Sequence, residues 1–374
     1  MHIRLFFACD EKKTILHALF NELLLPLLAD FGINYIMVLR VKNSVVPMAM
    51  FVIVCLLCAC QNSKPEFVSI EGEALGTFVQ VKCKTVDDAS IISNIVSEVD
   101  GEAKRSMSIF DQTSLISRIN QNQTDTLDAH IERNLEVARD MYELSGGAYD
   151  VTVKPLTEAW GFAGDVDEFV EPNIDSLLCF VGFDKIAVSD GRIIKTDART
   201  QLDFNSLAKG YTVDLVAEAL KERGIDCYMV NIGGEVRCAG TNARDEQWSI
   251  AIETPYEGNV AMDSFEKIIY VSDCAVATSG NYRRFYLTPD GRKVAHTIDP
   301  ISGRSVVSDL LSATVVAPTC IVADAAATMF MAMGSDGGAL ELARRCEEER
   351  GWLYYFIYAD GDGYRIECSD KFRE

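Results

Sequence analysis

Residues 201–239 read QLDFNSLAKGYTVDLVAEALKERGIDCYMVNIGGEVRCA, and this stretch decides the fold class. A strand-like entry over 201–204 leads to apolar positions at helical spacing over 206–223. Two strand patterns follow, over 227–232 and 235–239, and they are close enough to form a hairpin. A helix that leads into a hairpin favours an α+β fold over a doubly wound parallel sheet.

The flanking sequence has the same mixed character. Amphipathic helices are predicted over 87–107 and 130–144, and the second can end in a left-handed cap at Gly146. The pair Asp190-Gly191 predicts a hairpin turn. We therefore expect an α+β protein in which mixed or antiparallel sheets pack against helices. Further strands are predicted over 67–81, 248–253, 310–317, 353–358 and 364–367, and a further helix over 319–333.

The composition is that of a folded, acidic protein. The chain has 374 residues, of which 48% are hydrophobic and 24% charged, so it does not belong to the disordered class. The net charge of −21 makes nucleic acid an unfavourable partner, because phosphate backbones would be repelled. An anionic ligand would need a local device such as a metal ion, a helix N-terminus or a single basic side chain.

Residues 1–59 differ from the rest and resemble an export signal. The apolar run from Met48 is shorter than a membrane-spanning helix, and Arg40 and Lys42 precede it as a cationic region. Leu57-Cys-Ala-Cys60 resembles a bacterial lipobox, in which Cys60 would carry the lipid. Residues 60–66 would then form the lipidated end and tether of a protein exported to face the periplasm.

Two alternatives remain open for this segment. Met37 is expected to be the true start, but the apolar run between Ile15 and Leu28 could instead be a first membrane-associated helix. The whole segment could also be an uncleaved anchor. In every case residues 67–374 form the folded domain, tethered to a membrane.

Cysteine and histidine usage limits the kinds of metal site. Eight cysteines follow Cys60, none of them in a CxxC pair, so their expected role is as small buried residues, although one or two disulfides are possible. Only His130 and His296 follow Cys60, which excludes a multi-histidine site. Any metal would be bound by oxygen.

Residues 203–211 form the first candidate site. Asp203 and Lys209 flank a predicted helix N-terminus, where free N–H groups attract an anion. The alternative is that Asp203 or Ser206 only caps the helix and Lys209 is solvated. The paired glycines of Asn231-Ile-Gly-Gly-Glu235 allow a hairpin turn or a close approach to a ligand, and they do not form a Rossmann GxGxxG motif.

Two further polar clusters interrupt apolar sequence. His296 lies near Asp299 in His-Thr-Ile-Asp-Pro and is a candidate base, although an isolated histidine is often structural. Asp324 and Thr328 are four residues apart in an alanine-rich helix and share one face. A carboxylate and a hydroxyl in that arrangement suit Mg²⁺, although a dipole-favoured Asp and a back-bonded Thr explain them equally well. Together with Lys209, they indicate Mg²⁺-assisted binding of a pyrophosphate.

These segments, in this order, resemble the ApbE family of FAD:protein FMN transferases from about Gly72 to the C-terminus. The matching motifs are Leu75-Gly-Thr-Phe78, Met107-Ser-Ile-Phe110, Ser117-Arg-Ile-Asn120, Ser145-Gly-Gly-Ala148-Tyr149-Asp150 through Leu156, Trp160-Gly-Phe162, Asp203 to Tyr211, Asn231 to Gly234, Ala277-Thr-Ser-Gly-Asn-Tyr282, His296 to Pro300 with Gly303, and Ala323-Asp-Ala-Ala-Ala-Thr328.

The resemblance implies a T-fold-like single catalytic unit that binds FAD and Mg²⁺. It would transfer FMN to a threonine or serine hydroxyl of a membrane electron-transfer protein through a phosphoester bond, releasing AMP. The family motifs place FAD contacts at Leu75, Phe110, Ala148, Tyr149, Asp150, Asp203, Lys209 and Ile298. They place the metal on the side chains of Asp324 and Thr328 and on backbone oxygens of Ser206 and Ala327. His296 is the preferred candidate base, and Asp299 is the other.

The sequence departs from the family pattern at two places. Phe110 stands where an aromatic hydroxyl is common, so ring stacking remains but a hydrogen bond is lost. Phe204-Asn205-Ser206 replaces smaller residues, which a backbone ligand at Ser206 tolerates. Two alternative functions are an Mg²⁺-dependent FAD pyrophosphatase and a lipoprotein that binds FAD without turnover; a structural lipoprotein without a ligand is disfavoured by the clustered polar motifs.

Overall fold

The computed structural model describes residues 65–162, 170–255, 265–281, 285–361 and 363–373. The predicted signal segment and Cys60 lie outside these ranges, as does Tyr282 of one family motif. From Pro65 onward the chain forms one unit. Within the described ranges, no helix is both long enough and apolar enough to cross a bilayer.

Strands and helices alternate irregularly along the chain. The strands are β1 (Glu66–Ala74), β2 (Thr77–Thr85), β3 (Ile186–Ser189), β4 (Arg192–Lys195), β5 (Tyr228–Ile232), β6 (Glu235–Ala239), β7 (Trp248–Glu253), β8 (Phe265–Val271), β9 (Cys274–Gly280), β10 (Phe285–Leu287), β11 (Lys293–Ala295), β12 (Leu310–Ala317), β13 (Leu353–Asp360) and β14 (Gly363–Cys368). The α-helices are α1 (Ala89–Met107), α2 (Leu115–Asn120), α3 (Ala129–Ser145), α4 (Lys154–Ala159), α5 (Ile174–Leu178), α6 (Ala208–Glu222), α7 (Cys320–Met333) and α8 (Ala339–Arg350).

The centre of the fold is an eight-stranded sheet with the order β1-β2-β5-β6-β9-β12-β13-β14. Every neighbouring pair in it is antiparallel. Three two-stranded sheets, β3-β4, β7-β8 and β10-β11, accompany it. The predicted α+β class with antiparallel sheets packed against helices is confirmed.

Alternate residues of the central strands enter different cores, because successive side chains point to opposite faces. Val230 of β5 packs in the larger core with α1, α3, α6 and α7. Met229 packs in a second core with Trp248 and Ile252 of the β7-β8 hairpin. A third cluster, which includes Trp160 and Ile298, lies beneath the loops. The sheet is thus covered by helices on one face and by a hairpin on the other.

Several local predictions are confirmed. The helices predicted over 130–144 and 319–333 form as α3 and α7, each within one residue of the predicted bounds. Gly146 ends α3 in the left-handed region, with φ of 63°. Asp190 and Gly191 join β3 to β4 with φ of 52° and 69°, as a tight hairpin turn requires.

The strand predicted over 201–204 is wrong. Gln201 makes only an isolated bridge with Val153. The side chain of Asn120 takes the place of a neighbouring strand: its Nδ2 donates to the carbonyl of Leu202 at 2.8 Å, and its Oδ1 accepts from the Leu202 N–H at 2.7 Å. Because a side-chain amide offers the same donor and acceptor as a peptide, the apolar pattern remains buried without a ladder. The following helix begins at Ala208, two residues later than predicted.

Candidate functional site

A cleft of about 1060 Å³ opens at the end of the sheet where the motifs meet. Its walls come from the β1-β2 turn, the start of α6, the strands β6, β7 and β9, and one face of α7. The predicted site residues that line it are Leu75, Phe110, Ala148, Tyr149, Asp150, Asp203, Ser206, Lys209, His296, Ile298, Asp324 and Thr328. Twelve of the fourteen predicted site residues therefore converge, although they are spread over most of the domain.

The first turn of α6 packs directly against α7. The backbone N–H of Gly210 donates to Oδ2 of Asp324 at 2.9 Å. A Cβ atom at position 210 would lie 2.7 Å from the carbonyl carbon of Cys320 and 2.8 Å from Cβ of Asp324. Glycine is therefore required here by the closeness of the two helices. This contact holds the Asp324 carboxylate against the beginning of α6.

Lys209 belongs to a charged cluster at the bottom of the cleft. Its ammonium pairs with Oε1 of Glu235 and lies 3.8 Å from Oδ1 of Asp324. The Glu235 and Asp324 side chains are 5% and 4% exposed, whereas that of Lys209 is 34% exposed. Lys209 is therefore held by two buried carboxylates and still reaches the cleft, which favours the anion-binding interpretation over a solvated surface residue.

Burial and charge act in opposite directions on this cluster. Burial would lower the pKa of Lys209, but the charges of Asp324 and Glu235 outweigh it, and the pKa is raised above its usual value. For Asp324, burial raises the carboxyl pKa, and the neighbouring Lys209 offsets part of that rise. The lysine therefore remains a cation at every physiological pH.

Glu235 is a site residue that the sequence analysis did not single out. Glu235 ends the Asn231-Ile-Gly-Gly-Glu turn, in which the sequence analysis considered only the two glycines. The acidic type of this residue is the signal that could have identified it as a partner for Lys209. Its second oxygen, Oε2, is buried and has no hydrogen-bond partner among the described residues. A buried carboxylate oxygen without a donor is costly, so this atom indicates that a cation or donor belongs beside it.

The residues predicted to hold Mg²⁺ fit a hard cation. Asp324 and Thr328 face the cleft from successive turns of α7, and the Thr328 hydroxyl lies 3.0 Å from that of Ser279 on β9. Ser206 also lines the cleft, while Ala327 is fully buried within α7 and is not among the lining residues. Among the described residues, no three His, Cys, Asp or Glu side chains are placed so that they could hold a metal ion together. Mg²⁺ prefers oxygen ligands and often leaves some of its coordination positions to phosphate oxygens. A carboxylate, a hydroxyl and backbone oxygens would be suitable protein ligands for it.

The charge of the cleft gives a second reason for a cation. Among the described residues, its lining includes six carboxylates and three lysines. One of those lysines, Lys104, is already paired with Asp100 at 2.7 Å. A diphosphate entering such a cleft would be repelled unless a divalent cation accompanied it. The charge of the described lining residues is therefore compatible with an anionic ligand that is accompanied by a metal ion.

Ser206 and Tyr149 join the start of α6 to the turn after α3. The Tyr149 hydroxyl and the Ser206 hydroxyl are 2.8 Å apart. Burial raises the pKa of Tyr149 far above its usual value, so the phenol stays protonated and can donate a hydrogen bond. Asp203 accepts from the Asn205 N–H at 2.8 Å, which shapes the turn that leads to Ser206. Neither Asp203 nor Ser206 caps α6, whose N-cap is Leu207 without a side-chain hydrogen bond, so the capping alternative is wrong. Asp203 instead shapes the loop and lines the cleft.

Asp150 and Leu75 are held by their own hydrogen bonds. The Asp150 carboxylate accepts from the N–H groups of Thr152 and Phe183, each at 2.7 Å. Burial raises its pKa, although these hydrogen bonds oppose the rise. Leu75 has a φ of 51°, unusual for a residue other than glycine, and its N–H donates to Asp100 at 2.7 Å. Both residues fix the backbone of the cleft wall rather than offer free side-chain groups.

Phe110, His296 and Ile298 lie around the opening. Phe110 is 65% exposed, so its aromatic ring is accessible for stacking against a flat ligand. His296 lines the cleft, and its ring lies edge-on to Phe162 with 6.4 Å between centroids. Asp299 is not among the lining residues, because its carboxylate accepts from the N–H groups of Ile301 and Ser302 in the Asp-Pro turn. The geometry therefore favours His296 over Asp299 as the base.

Among the described residues, His130 and the cysteines lie outside the cleft lining. His130 contacts the Tyr211 hydroxyl at 3.0 Å and is not among the cleft residues. All eight cysteines after Cys60 are free thiols. Five of them, Cys83, Cys238, Cys320, Cys346 and Cys368, are buried, as expected for small apolar residues.

A family model described as the ApbE family matches residues 75–351. That match covers well over half of the chain and includes every described residue that lines the cleft. The chain belongs to the ApbE family.

Curated proteins and solved structures of the ApbE family agree with this assignment. The chain is 34% identical over 327 residues to a Vibrio cholerae protein named FAD:protein FMN transferase, covering 85% of this chain and 95% of that protein. It is 32% identical to the Haemophilus influenzae protein of the same name, covering 85% and 94%. The structure of the Vibrio cholerae flavin transferase ApbE superposes with a TM-score of 0.73 at 30% identity, covering 83% of this chain and 99% of that one. The Pseudomonas stutzeri flavinyl transferase ApbE in its apo form gives a TM-score of 0.72 at 27% identity, covering 83% and 97%.

These relatives confirm three predictions. The ApbE resemblance drawn from the ordered motifs is correct, the α+β fold is that of the family, and the chain is an enzyme of the transferase class. The interpretation as a ligand-free structural lipoprotein or a passive flavin carrier is thereby disfavoured.

Proposed function

We propose that this chain transfers FMN from FAD to a threonine or serine hydroxyl of an acceptor protein, forming a phosphoester bond and releasing AMP. The observation that carries the proposal is the convergence of Lys209, Asp324 and Thr328 in one cleft. A volume of about 1060 Å³ accommodates a dinucleotide, since pockets for drug-sized ligands span roughly 300–1,000 Å³. The names of the relatives supply the flavin substrate.

Asp324 and Thr328, with backbone oxygens of Ser206 and Ala327, would hold Mg²⁺. When bound, Mg²⁺ would neutralise the charge that develops on the diphosphate during phosphoryl transfer. Lys209 would bind a phosphate oxygen as a point charge, and Glu235 would keep its ammonium directed into the cleft.

The reaction requires an in-line displacement at the phosphorus on the FMN side of FAD. The acceptor hydroxyl oxygen forms the new bond to that phosphorus, and the bond from the phosphorus to the bridging oxygen breaks, so that AMP leaves. His296 is the candidate that takes the proton from the hydroxyl. Phe110 would stack on the flavin ring at the opening and so leave the phosphates at the charged bottom of the cleft.

The direct test is to incubate the purified chain with FAD, Mg²⁺ and a protein that carries a candidate acceptor threonine. We expect the acceptor mass to increase by one FMN and AMP to appear in equal amount. FMN and AMP free in solution, with an unmodified acceptor, would instead indicate an FAD pyrophosphatase. FAD left intact with several acceptors would contradict both reactions.

Replacing Lys209 by alanine is expected to weaken FAD binding by about 10- to 100-fold, the range for losing one charge-assisted hydrogen bond. The loss also leaves Glu235 and Asp324 close together without their cation. Titration of the quenching of flavin fluorescence would measure the Kd. The control is Lys221→Ala in the last turn of the same helix, where affinity should not change. An unchanged Kd in the Lys209 variant would return this lysine to the role of a structural ion-pair partner.

Replacing His296 by alanine is expected to lower the transfer rate by about 100-fold or more, the usual contribution of a general base, and to leave the Kd for FAD within a few-fold. The reason is that the imidazole would act on the acceptor proton and not on the diphosphate. Single-turnover transfer and FAD titration separate the two effects. The matched variant Asp299→Asn keeps a side-chain oxygen that can accept hydrogen bonds in its turn, and it should retain transfer. Loss of transfer in the Asp299 variant but not in the His296 variant would make Asp299 the base instead of His296.

We also propose that the protein is exported, anchored by a lipid on Cys60 and directed to the periplasm, where it would modify membrane electron-transfer proteins. The support is the apolar segment before Leu57-Cys-Ala-Cys60 and the polar tether that follows. Metabolic labelling with a fatty-acid analogue tests this anchor, because Cys60→Ala should abolish the label. Label retained in that variant would contradict the proposed lipid site.

A further inference from the structure

Two cysteines lie directly opposite each other on neighbouring strands of the central sheet. Cys238 of β6 and Cys274 of β9 are register partners in the antiparallel pair, at the end of the β6-β9 ladder. Directly opposed residues in such a pair have Cα atoms about 4.5–5.5 Å apart, which lies within the range of disulfide-bonded cysteines. Their side chains necessarily point to the same face of the sheet.

The Cys238 thiol already contacts Cys274 and the end of β8. It donates to the Val271 carbonyl at 3.9 Å. Cys238 also donates to the Cys274 carbonyl at 3.6 Å and is 2% exposed, in the core beneath the β7-β8 hairpin. Cys274 is half-buried and packs against the same core, so it is the less buried of the two cysteines.

The chain around the pair is held in place on both strands. The N–H of Gly240 donates to Oδ1 of Asp273 at 3.0 Å, and the Ser272 hydroxyl donates to the Gly240 carbonyl. These contacts fix the strand ends beside the two cysteines. A bond between the sulfurs would therefore need little movement of the backbone.

We propose that Cys238 and Cys274 form a cross-strand disulfide that ties β6 to β9. The partner in its formation is a disulfide oxidant, such as a disulfide-exchange protein or glutathione disulfide. The Cys274 thiolate attacks one sulfur of the oxidant, and the first thiol of the oxidant leaves. Cys238 then loses its proton and attacks Cys274 in the mixed disulfide, and the second thiol leaves. Two electrons and two protons pass to the oxidant.

The chemistry of the two thiols suits this order. The neighbouring Cys238 thiol lowers the pKa of Cys274, with Lys371 contributing in the same direction, and so favours the attacking thiolate on the less buried partner. The neighbouring Cys274 thiol and burial raise the pKa of Cys238, which keeps it protonated until the mixed disulfide has formed.

The disulfide would stabilise the strands that carry part of the cleft. Glu235 lies on β6, three residues before Cys238, and Thr278 and Ser279 lie on β9. Cross-linking closes the loop over residues 239–273 and restricts the unfolded chain. The oxidised protein should melt roughly 4–10 °C above the reduced protein.

The test is to equilibrate the full chain with glutathione disulfide, block free thiols with an alkylating agent, digest without reductant and identify linked peptides by mass spectrometry. We expect a peptide containing Cys238 to be linked to one containing Cys274. Cys179→Ala, which removes the exposed thiol, should leave that link and the shift in melting temperature intact. Cys274→Ala should abolish both.

Three outcomes would overturn the proposal. These are alkylation of both thiols after full equilibration, a link from either cysteine to a different one, and an equal melting shift in the Cys274→Ala variant. The double variant Cys238→Ala/Cys274→Ala provides a reference in case the single variant folds poorly. Since none of these readouts involves flavin, failure of the proposed transfer reaction would leave the result unaffected.

Discussion

Replacing Asp324 by alanine is expected to reduce Mg²⁺-dependent flavin transfer by at least about 10³-fold, because this side chain is the one carboxylate among the proposed metal ligands. Its Oδ2 holds the start of α6 through Gly210, and its Oδ1 faces Lys209. Removal would therefore affect both the metal and the position of the lysine. The measurement is the single-turnover transfer rate at several Mg²⁺ concentrations, together with the melting temperature.

Asp324→Asn separates charge from hydrogen bonding. The amide oxygen can still accept the N–H of Gly210, so the fold should be retained, yet the neutral group binds Mg²⁺ poorly and transfer should still be lost. Asp226→Ala, at an exposed position before β5, should transfer flavin at the wild-type rate. Near wild-type transfer by Asp324→Ala with an unchanged Mg²⁺ dependence would remove Asp324 from the metal site.

Replacing Gly210 by alanine is expected to destabilise the protein by about 2–4 kcal/mol and to abolish transfer. The added methyl group would overlap the backbone of Cys320 and the side chain of Asp324, and neither α6 nor α7 can yield without moving the other. The hydrogen bond from Gly210 to Asp324 would lengthen as the helices separate. Urea denaturation would report the free energy of unfolding, and the transfer assay would report the site.

The matched control is Gly101→Ala in the interior of α1. There the new Cβ would meet only the flexible end of Arg105 at 3.1 Å. Alanine is the better helix former, so we expect stability to rise by about 0.5–1 kcal/mol. If Gly210→Ala is as stable and as active as Gly101→Ala, the contact between α6 and α7 accommodates the added methyl group without loss of stability. In that case Gly210 is not what positions Asp324.

The sequence was most informative where one local signal decides the structure. Helical spacing defined α3 and α7, and Asp190-Gly191 defined the β3-β4 turn, because turn and cap conformations depend on a few neighbouring residues. It failed for β9, whose run Cys-Ala-Val-Ala-Thr-Ser-Gly has no alternating pattern. A central strand covered on both faces needs none. It also overlooked α8, although Leu342 and Cys346 have helical spacing.

The sequence predicted which residues form the site but not how their side chains are arranged in space. The ordered motifs named the family and twelve residues that line the cleft, since recognition needs only residue types in sequence order. The sequence analysis preferred His296 to Asp299 as the base, but it had no geometric ground for the choice, because both residues lie in the same short segment. Only the fold showed that the Asp299 carboxylate is occupied by its own turn.

By itself, the sequence determined the fold class, the family and the chemical types in the site, because these depend on local pattern and on order along the chain. Tertiary structure alone decided that Glu235 holds Lys209, that Gly210 lets α6 reach α7, and that Cys238 faces Cys274. Each of these is a contact between segments far apart in sequence. Such contacts depend on strand register and helix packing, which arise only when the whole core assembles.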